Sequence, residues 1–363
     1  LKKDSSGNII ESPKHLFERV AAHTTLPSLL FDKKIFQRQG GAIHPFEDFE
    51  PVKFEGKIKI GEYDLNRFHL EALKRLYDRF NRAGQMKVSF SEFLGSLRKG
   101  EFADYGKEVK QYFNLMVERK FFPNTPALVN FGNYLGMGSA CFAFSVEDSI
   151  ESIMDALRKA AIIFKSGGGV GYNFSNLRPE GDFVKSTGGV SSGPLSFMSL
   201  FDKMTDVIKQ GGVRRGASMG ILDSDHPDIE KFITAKRGNQ ALRNFNISVF
   251  IKSDFWEYFE NKKPYPLRNP RSGEVVQYVD PQNLLNLIVY QAWESAEPGV
   301  IFDDWVNKYN PFFQSLGPIK CTNPCISGDS WVMTSEGPKQ VSDLIGKKTE
   351  VIVNGKKWSN AGH

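Results

Sequence analysis

The feature that most limits what this chain can fold into is a change of texture at Phe122-Pro123-Asn124-Thr125-Pro126. Before it, apolar residues recur at helical spacing. Leu65, Phe68, Leu70, Leu73, Leu76 and Phe80 mark one face of a helix, and 104–120 forms another with Tyr112, Phe113, Leu115 and Met116 partly buried. Ser12 followed by Pro13 is a capped helix start with proline at its first position. After it, glycine-rich turns, short apolar runs and amphipathic helices alternate up to about residue 320. Helices are expected over 151–164, 194–209, 226–236 and 281–295, and a buried strand over 246–251. Strands alternating with helices argue an α/β architecture. The charged, proline-bearing stretch 253–280 is expected to be a surface excursion, and no repeat of fixed period is visible. At 325 the texture shifts again, to short strands and tight turns through Trp331-Val332-Met333-Thr334, Ser335-Glu336-Gly337 and Val351-Ile352-Val353-Asn354-Gly355. The expected organisation is a helical region over 1–120, an α/β domain over 121–324 and a β-rich segment over 325–363.

Composition narrows the function. The 363 residues are 40% hydrophobic and 25% charged, a soluble globular profile with room for two or three domains. A net charge of +5 is mild and is accounted for by phosphate-bearing small molecules as well as by nucleic acid, so no nucleic-acid partner is expected. No apolar run approaches the roughly 18 residues that span a bilayer. No secretory pattern opens the chain, and no membrane association is expected. Three cysteines are too few for a disulfide scaffold, which points to a reducing, cytoplasmic location. Leu1 in place of an initiating Met suggests a fragment.

Three glycine-rich stretches lie close together in the α/β part. The first, 165–175, contains Gly167-Gly168-Gly169-Val170-Gly171, and such a run lets backbone approach a ligand closely and point amides at it. It is neither a P-loop nor a Gly-x-Gly-x-x-Gly turn, and a bulged or flexible loop is its plainer alternative. The second, 187–194, feeds a helix and suits capping or anion binding. The third, 210–220, frames Arg214 and Arg215, which can stack on a base, grip a phosphate or belong to a solvated turn. Together they favour a nucleotide site.

Taken in order, several segments resemble the catalytic subunit of ribonucleotide reductases, most closely the class II, adenosylcobalamin-dependent enzymes. They are Pro123-Asn124-Thr125-Pro126-Ala127-Leu128, Ser139-Ala140-Cys141-Phe142, 167–175 with Leu177-Arg178-Pro179, Ser192-Gly193-Pro194-Leu195-Ser196-Phe197-Met198, 209–220 with His226-Pro227-Asp228-Ile229, and Thr322-Asn323-Pro324-Cys325. The likeness covers about 120–325 and is looser earlier, around Phe17-Glu18-Arg19-Val20-Ala21. It implies an α/β barrel of ten strands with a finger loop through its centre. A cysteine at the fingertip carries a thiyl radical that abstracts the 3′ hydrogen of a ribonucleotide, and a cysteine pair supplies reducing equivalents as the 2′ hydroxyl leaves as water. By this resemblance Cys141 is one of the redox pair, Asn323 orients the substrate and Cys325 occupies the radical position. Thr125, Ser139, Ala140, Gly168, Gly169 and Ser175 contact substrate, and Gln210 and Arg214 read its base. Asp148 and Lys185 hold an allosteric deoxynucleotide effector at a homodimer interface, and Cys321 is structural. The resemblance further implies adenosylcobalamin as cofactor and a thioredoxin- or glutaredoxin-type reductant, with no metal site in the chain. The alternatives are a class I large subunit with a separate radical-generating subunit and a non-catalytic nucleotide-binding relic. Retention of Cys141 and Asn323 weighs against the relic.

The pattern breaks at the fingertip. The family has Cys-x-Glu, whereas Cys325 is followed by Ile326 and Ser327. Instead, Cys325-Ile326-Ser327-Gly328-Asp329-Ser330-Trp331-Val332 resembles the first block of an intein, and the likeness continues through Gly337-Pro338-Lys339-Gln340-Val341 and Asp343-Leu344-Ile345. This implies that Cys325 is the splicing nucleophile, attacking the Pro324 carbonyl as a thiol. The tail is then the start of a Hint-type fold, either truncated or one half of a split intein whose C-terminal half is a separate partner. The restricted geometry of Pro324 predicts slow thioester formation. An ordinary β-rich continuation is the plainer alternative, and it leaves a reductase without its base. On either account the fragment by itself is expected to be inactive.

Overall fold

A computed structural model describes residues 1–38, 40–184, 188–208, 217–239, 241–323, 331–340, 350–353 and 356–359. Packing divides the chain into two compact units, Leu1–Ala140 and Cys141–His363.

In the first unit, α1 (Pro13–Leu30) starts where the Ser12 hydroxyl accepts the His15 amide, as the Ser-Pro pair leads one to expect. The hairpin β1 (Lys59–Ile60) and β2 (Tyr63–Asp64) precedes α2 (Arg67–Arg82). Asn66 caps α2 by accepting the Phe68 and His69 amides, while His69 Nδ1 accepts the Asn66 amide in return. Helices α3 (Phe90–Arg98) and α4 (Gly106–Val117) follow, then α5 (Thr125–Asn130). On α4 only Met116 of the expected apolar set is fully buried, and Leu115 is exposed. Val20, Leu26, Leu70, Leu73, Phe93 and Leu97 are central to the core. A buried ion pair, Arg19 to Glu11 at 2.7 Å, lies beside it. The same guanidinium donates to the Leu128 and Phe131 carbonyls. Gly132 N–H donates to His23 Nδ1, and Asn66 Nδ2 donates to the Gly132 carbonyl. These bonds tie the segment after Asn124 into the helical unit. The boundary expected after residue 120 therefore falls after Ala140.

The second unit is built on five parallel strands. In chain order its strands are β3 (Cys141–Ser145), β4 (Gly169–Asn173), the small pair β5 (Phe183–Val184) and β6 (Gly189–Val190), β7 (Ser218–Asp223), β8 (Phe245–Ile251), the hairpin β9 (Tyr265–Arg268) and β10 (Val275–Val279), and β11 (Gly299–Phe302). The main sheet has the order β11-β8-β7-β4-β3, all parallel. Each strand thus pairs with the next one in the chain, across connections that carry α6 (Ile150–Lys165), α7 (Gly193–Val207), α8 (Ile229–Thr234), then α9 (Phe255–Glu260) and α10 (Pro281–Ser295). A parallel sheet that advances in one direction without reversing is barrel-like, unlike the doubly wound order that reverses at a switch point. One face packs Tyr172, Phe174, Leu222, Phe245 and Ile247 against the helices. The other, inner face gathers Met219, Ile221, Phe250 and Ile301, with Cys321 against them. Two short helices, α11 (Asp303–Lys308) and α12 (Phe313–Leu316), follow β11.

Two expectations are corrected here. The stretch 167–175 is not one loop. Residues Gly169–Asn173 form a buried central strand, and the end of the third glycine stretch is the start of β7. Glycine is there for close approach, but the approaching group is the chain's own backbone. A Cβ on Gly171 would stand 1.9 Å from the Thr322 carbonyl oxygen. Likewise the stretch 253–280 is not merely a surface excursion, since Phe255, Tyr265 and Leu267 are fully buried in the core. After residue 325 the described chain forms β12 (Trp331–Thr334), β13 (Gly337–Gln340), β14 (Glu350–Val353) and β15 (Lys356–Ser359). They make an antiparallel sheet of order β13-β12-β14-β15, in keeping with the β-rich texture.

Two substitutions test these packing arguments by equilibrium denaturation. Gly171→Ala is expected to cost about 1–3 kcal/mol, because backbone must move to admit the methyl. Arg19→Ala is expected to cost roughly 3–5 kcal/mol by stranding a buried carboxylate, and Arg19→Met with Glu11→Leu should recover most of it.

Candidate active site

The inner face of the sheet is crossed by the segment that follows α12. The Lys320 carbonyl accepts Asn173 Nδ2 at 2.6 Å, at the C-terminal end of β4. The Thr322 carbonyl lies over Gly171 in mid-strand. Asn323 Nδ2 donates to the Phe142 carbonyl at 2.7 Å, near the N-terminal end of β3. The segment therefore runs antiparallel to the strands, from their C-terminal to their N-terminal ends.

At the N-terminal ends the register places Cys141 opposite Gly169 and Phe142 opposite Val170. Cys141, Gly168, Gly169 and Asn323 are thus brought to one end of the half-barrel, with Cys141 exposed there. Gly168 packs tightly, since a Cβ would meet Ile163 Cγ2 at 2.7 Å and the Phe142 ring at 3.0 Å. Ser175 is at the other end, on the order of 15–20 Å along β4 at about 3.3 Å per residue. Its hydroxyl donates to Asp223 Oδ1 at 2.7 Å, and its amide donates to Asn173 Oδ1 at 2.8 Å. The structure thus divides between two ends what the sequence suggested was one substrate cradle. Asp148 is engaged by Arg178, through Nε at 2.7 Å and the backbone amide at 3.3 Å. In the helical unit Thr125 is the exposed first residue of α5, Ser139 is exposed and Ala140 is half-buried. Lys185, Gln210, Arg214 and Cys325 lie outside the described residues.

The wall beside the crossing segment is dry. Burial pushes the Cys321 thiol up to about 12, so it stays protonated, and its sulfur lies against Gly171. Past the C-terminal strand ends the environment turns charged, which the sequence reading overlooked. Lys252 Nζ is 3.5 Å from Asp223 Oδ2. Burial, and then the charge of Asp223, push the Asp225 carboxyl up to about 6. His226 is buried, accepting the Asp228 amide at Nδ1 and donating to the Leu177 carbonyl from Nε2. The available signal was the run Asp223-Ser224-Asp225-His226-Pro227-Asp228 directly after an apolar strand, which is where parallel sheets present polar groups.

The fold defines a barrel-like parallel α/β domain that follows an all-helical one in the chain. Residues 1–136 match the all-alpha domain of ribonucleotide reductase, and 139–327 match its barrel domain. The chain is 40% identical over 359 residues to a vitamin B12-dependent ribonucleoside-diphosphate reductase of Thermoplasma acidophilum, an alignment covering 98% of this chain and 44% of that protein. It is 42% identical over 217 residues to the protein of the same description from Mycobacterium tuberculosis, covering 60% of this chain and 31% of that one. Identity to the vitamin B12-dependent ribonucleotide reductase of Streptomyces clavuligerus is 34% over 278 residues, covering 70% and 28%. The chain belongs to the ribonucleotide reductase large-subunit family. It spans less than half the length of these curated relatives.

Two measurements follow from the protonation states. At pH 8 the folded chain should be alkylated by iodoacetamide at exposed Cys141 and spared at Cys321, with Cys321 reacting only on denaturation; peptide mapping reads this directly. A raised folded-state pKa at Asp225 means stability present at low pH is lost as pH rises from the ordinary Asp range through about 6. Asp225→Asn should flatten that part of the stability–pH curve.

Proposed function

We propose that this chain is the N-terminal portion of a ribonucleotide reductase that makes deoxyribonucleotides by thiyl-radical chemistry, with adenosylcobalamin as the radical source. The single observation that carries the reading is the hydrogen bond from Asn323 to the Phe142 carbonyl, which delivers Asn323 to the same strand end as Cys141. With its Nδ2 committed there, Asn323 keeps Oδ1 to accept a hydroxyl of the substrate ribose. Cys141 supplies one thiol of a pair, whose oxidation to a disulfide delivers two electrons and two protons as the 2′ hydroxyl leaves as water. The partner thiol is expected elsewhere in the full protein.

The inner wall under the crossing segment suits a radical carried by that segment. Met219, Ile221, Phe250 and the protonated Cys321 line it, and a radical is protected where water is excluded. When bound, adenosylcobalamin supplies homolysis of its own cobalt–carbon bond. The B12-dependent descriptions of the relatives favour class II over a class I large subunit with a separate radical-generating subunit. A homodimer, deoxynucleotide effectors at Asp148 and Lys185, a thioredoxin- or glutaredoxin-type reductant and a cytoplasmic location belong to the same proposal.

The tail from Cys325 is proposed to be the N-terminal part of an intein with Cys325 as its nucleophile. The four-stranded antiparallel sheet and the end of the barrel-domain match at residue 327 support it. One observation favours the second reading, an uninterrupted reductase continuation: the Thermoplasma acidophilum alignment covers 98% of the chain and so reaches into the tail.

The coding sequence past the His363 codon separates the two. A Thr-x-x-His block, a terminal His-Asn and then Cys-x-Glu establish a contiguous intein. A stop codon fits a split one, and reductase sequence resuming directly sinks the intein. For the full protein, reduction of ribonucleoside diphosphates should require added adenosylcobalamin; turnover without it removes the class II reading. Asn323→Ala should lower kcat about 100-fold through lost substrate orientation.

A further inference from the structure

We propose that the turn of the β9–β10 hairpin, through Arg271 and Asn269, positions the β5–β6 hairpin and so sets the protein's response to its deoxynucleotide effector. The effector part rests on the proposed function, which assigns Lys185, in the connection between β5 and β6, to that effector.

The β5–β6 hairpin cannot hold itself. Its strands are two residues each, with Phe183 paired to Val190 and Val184 to Gly189. Phe183 and Val190 are 53% and 72% exposed, so the pair buries little. An isolated hairpin of this kind is marginal in water. Its direction is therefore decided by whatever grips its base. That base is closed by two backbone bonds, from the Ser191 amide to the Asp182 carbonyl at 2.8 Å and from the Gly181 amide to the Ser191 carbonyl at 2.9 Å.

Three polar contacts grip the base. Arg178 is held by Asp148. The Glu180 amide donates to Asp228 Oδ2 at 2.8 Å, and the Glu180 carboxylate pairs with Lys231 at 2.7 Å. The third contact, nearest the strands, is the β9–β10 turn. Arg271 Nη2 lies 3.1 Å from Asp182 Oδ2 and 3.3 Å from Oδ1, and Asn269 Nδ2 donates to Oδ2 at 3.2 Å. Asp182 Oδ1 also accepts the Phe183 amide at 3.0 Å. One carboxylate thus joins the turn of one hairpin to the first strand of the other.

The arm that reaches Asp182 is anchored. Tyr265 and Leu267 of β9 are fully buried, the Tyr265 hydroxyl lies 3.0 Å from Ser224 Oγ, and the Arg268 amide donates to the Asp225 carbonyl at 2.7 Å. Asn269 is buried, and its Oδ1 accepts the Arg271 amide at 2.9 Å, which leaves Nδ2 for Asp182. Asn269 thus folds its own turn with one atom and grips the neighbouring hairpin with the other. The Arg271 side chain is 37% exposed, and so open an ion pair adds little to stability. What it supplies is orientation.

The test places two readouts on Arg271→Ala, with Arg271→Lys and Asp182→Ala beside it. In this chain, hydrogen exchange at the Gly181 and Ser191 amides is expected to quicken about tenfold, with the Arg268 amide and the melting temperature unchanged. In the full-length protein, dATP, dGTP, dCTP and dTTP are titrated in turn. The rate of reduction without effector should stay the same, while the half-saturating concentration of the stimulating deoxynucleotide rises about tenfold. Arg271→Lys should recover part of both effects. Arg271→Ala combined with Asp182→Ala should be no worse than Asp182→Ala alone, as for one shared contact. Unchanged exchange at Gly181 and Ser191 overturns the positioning role without reference to any activity. Faster exchange with unchanged half-saturation, or with an equal loss of the effector-free rate, overturns the regulatory role. Unsubstituted protein that no deoxynucleotide stimulates overturns the effector reading and the regulatory role with it, and the exchange data keep that result distinct from failure of the clamp.

Discussion

The contact on which the second unit depends is the passage of the Cys321-Thr322-Asn323 backbone across Gly171. The Thr322 carbonyl lies so close to Gly171 that no side chain fits there, and hydrogen bonds from Asn173 and Asn323 hold the segment at both ends. Everything chemically distinctive follows from that line. It covers the apolar inner face, keeps Cys321 dry and protonated, and divides the sheet into two ends of different character. The Cys141 end carries Gly168, Gly169 and Asn323. The Asp223 end is charged.

The helical unit is organised on a different principle. There a buried charge is the organiser, because Arg19 cannot remain buried unless Glu11 and the Leu128 and Phe131 carbonyls satisfy it. Neighbouring His69 and His23 are kept neutral by burial, with pKa values near 3 and 4, so that no second uncompensated charge enters the cluster. The arrangement ties α1, the start of α2 and the α5 segment together through polar groups, where an apolar contact would define their register less sharply.

Much of this was legible in the residues. Ser12-Pro13 gave the start of α1, Pro281 to Ser295 is a helix as expected, and the buried strand at 246–251 is β8. These features rest on local rules of capping, periodicity and apolar runs. The glycine stretches were harder, because a glycine that admits a ligand and one that admits the chain's own carbonyl have the same local signature. Gly171 is the second kind, and its partner Thr322 is remote in sequence. For the same reason Ser175 looked like a neighbour of Gly168 and Gly169, although strand geometry carries it to the opposite end.

The sequence by itself determined the order of textures and the family, because motifs and periodicities are local. Only the tertiary structure decided that the sheet advances without reversal, that the crossing segment runs antiparallel to it, and that Asp223, Lys252 and Asp303 share a cavity. Those facts depend on hydrogen-bond register and close approach between residues far apart in the chain, for which no local pattern carries a signal.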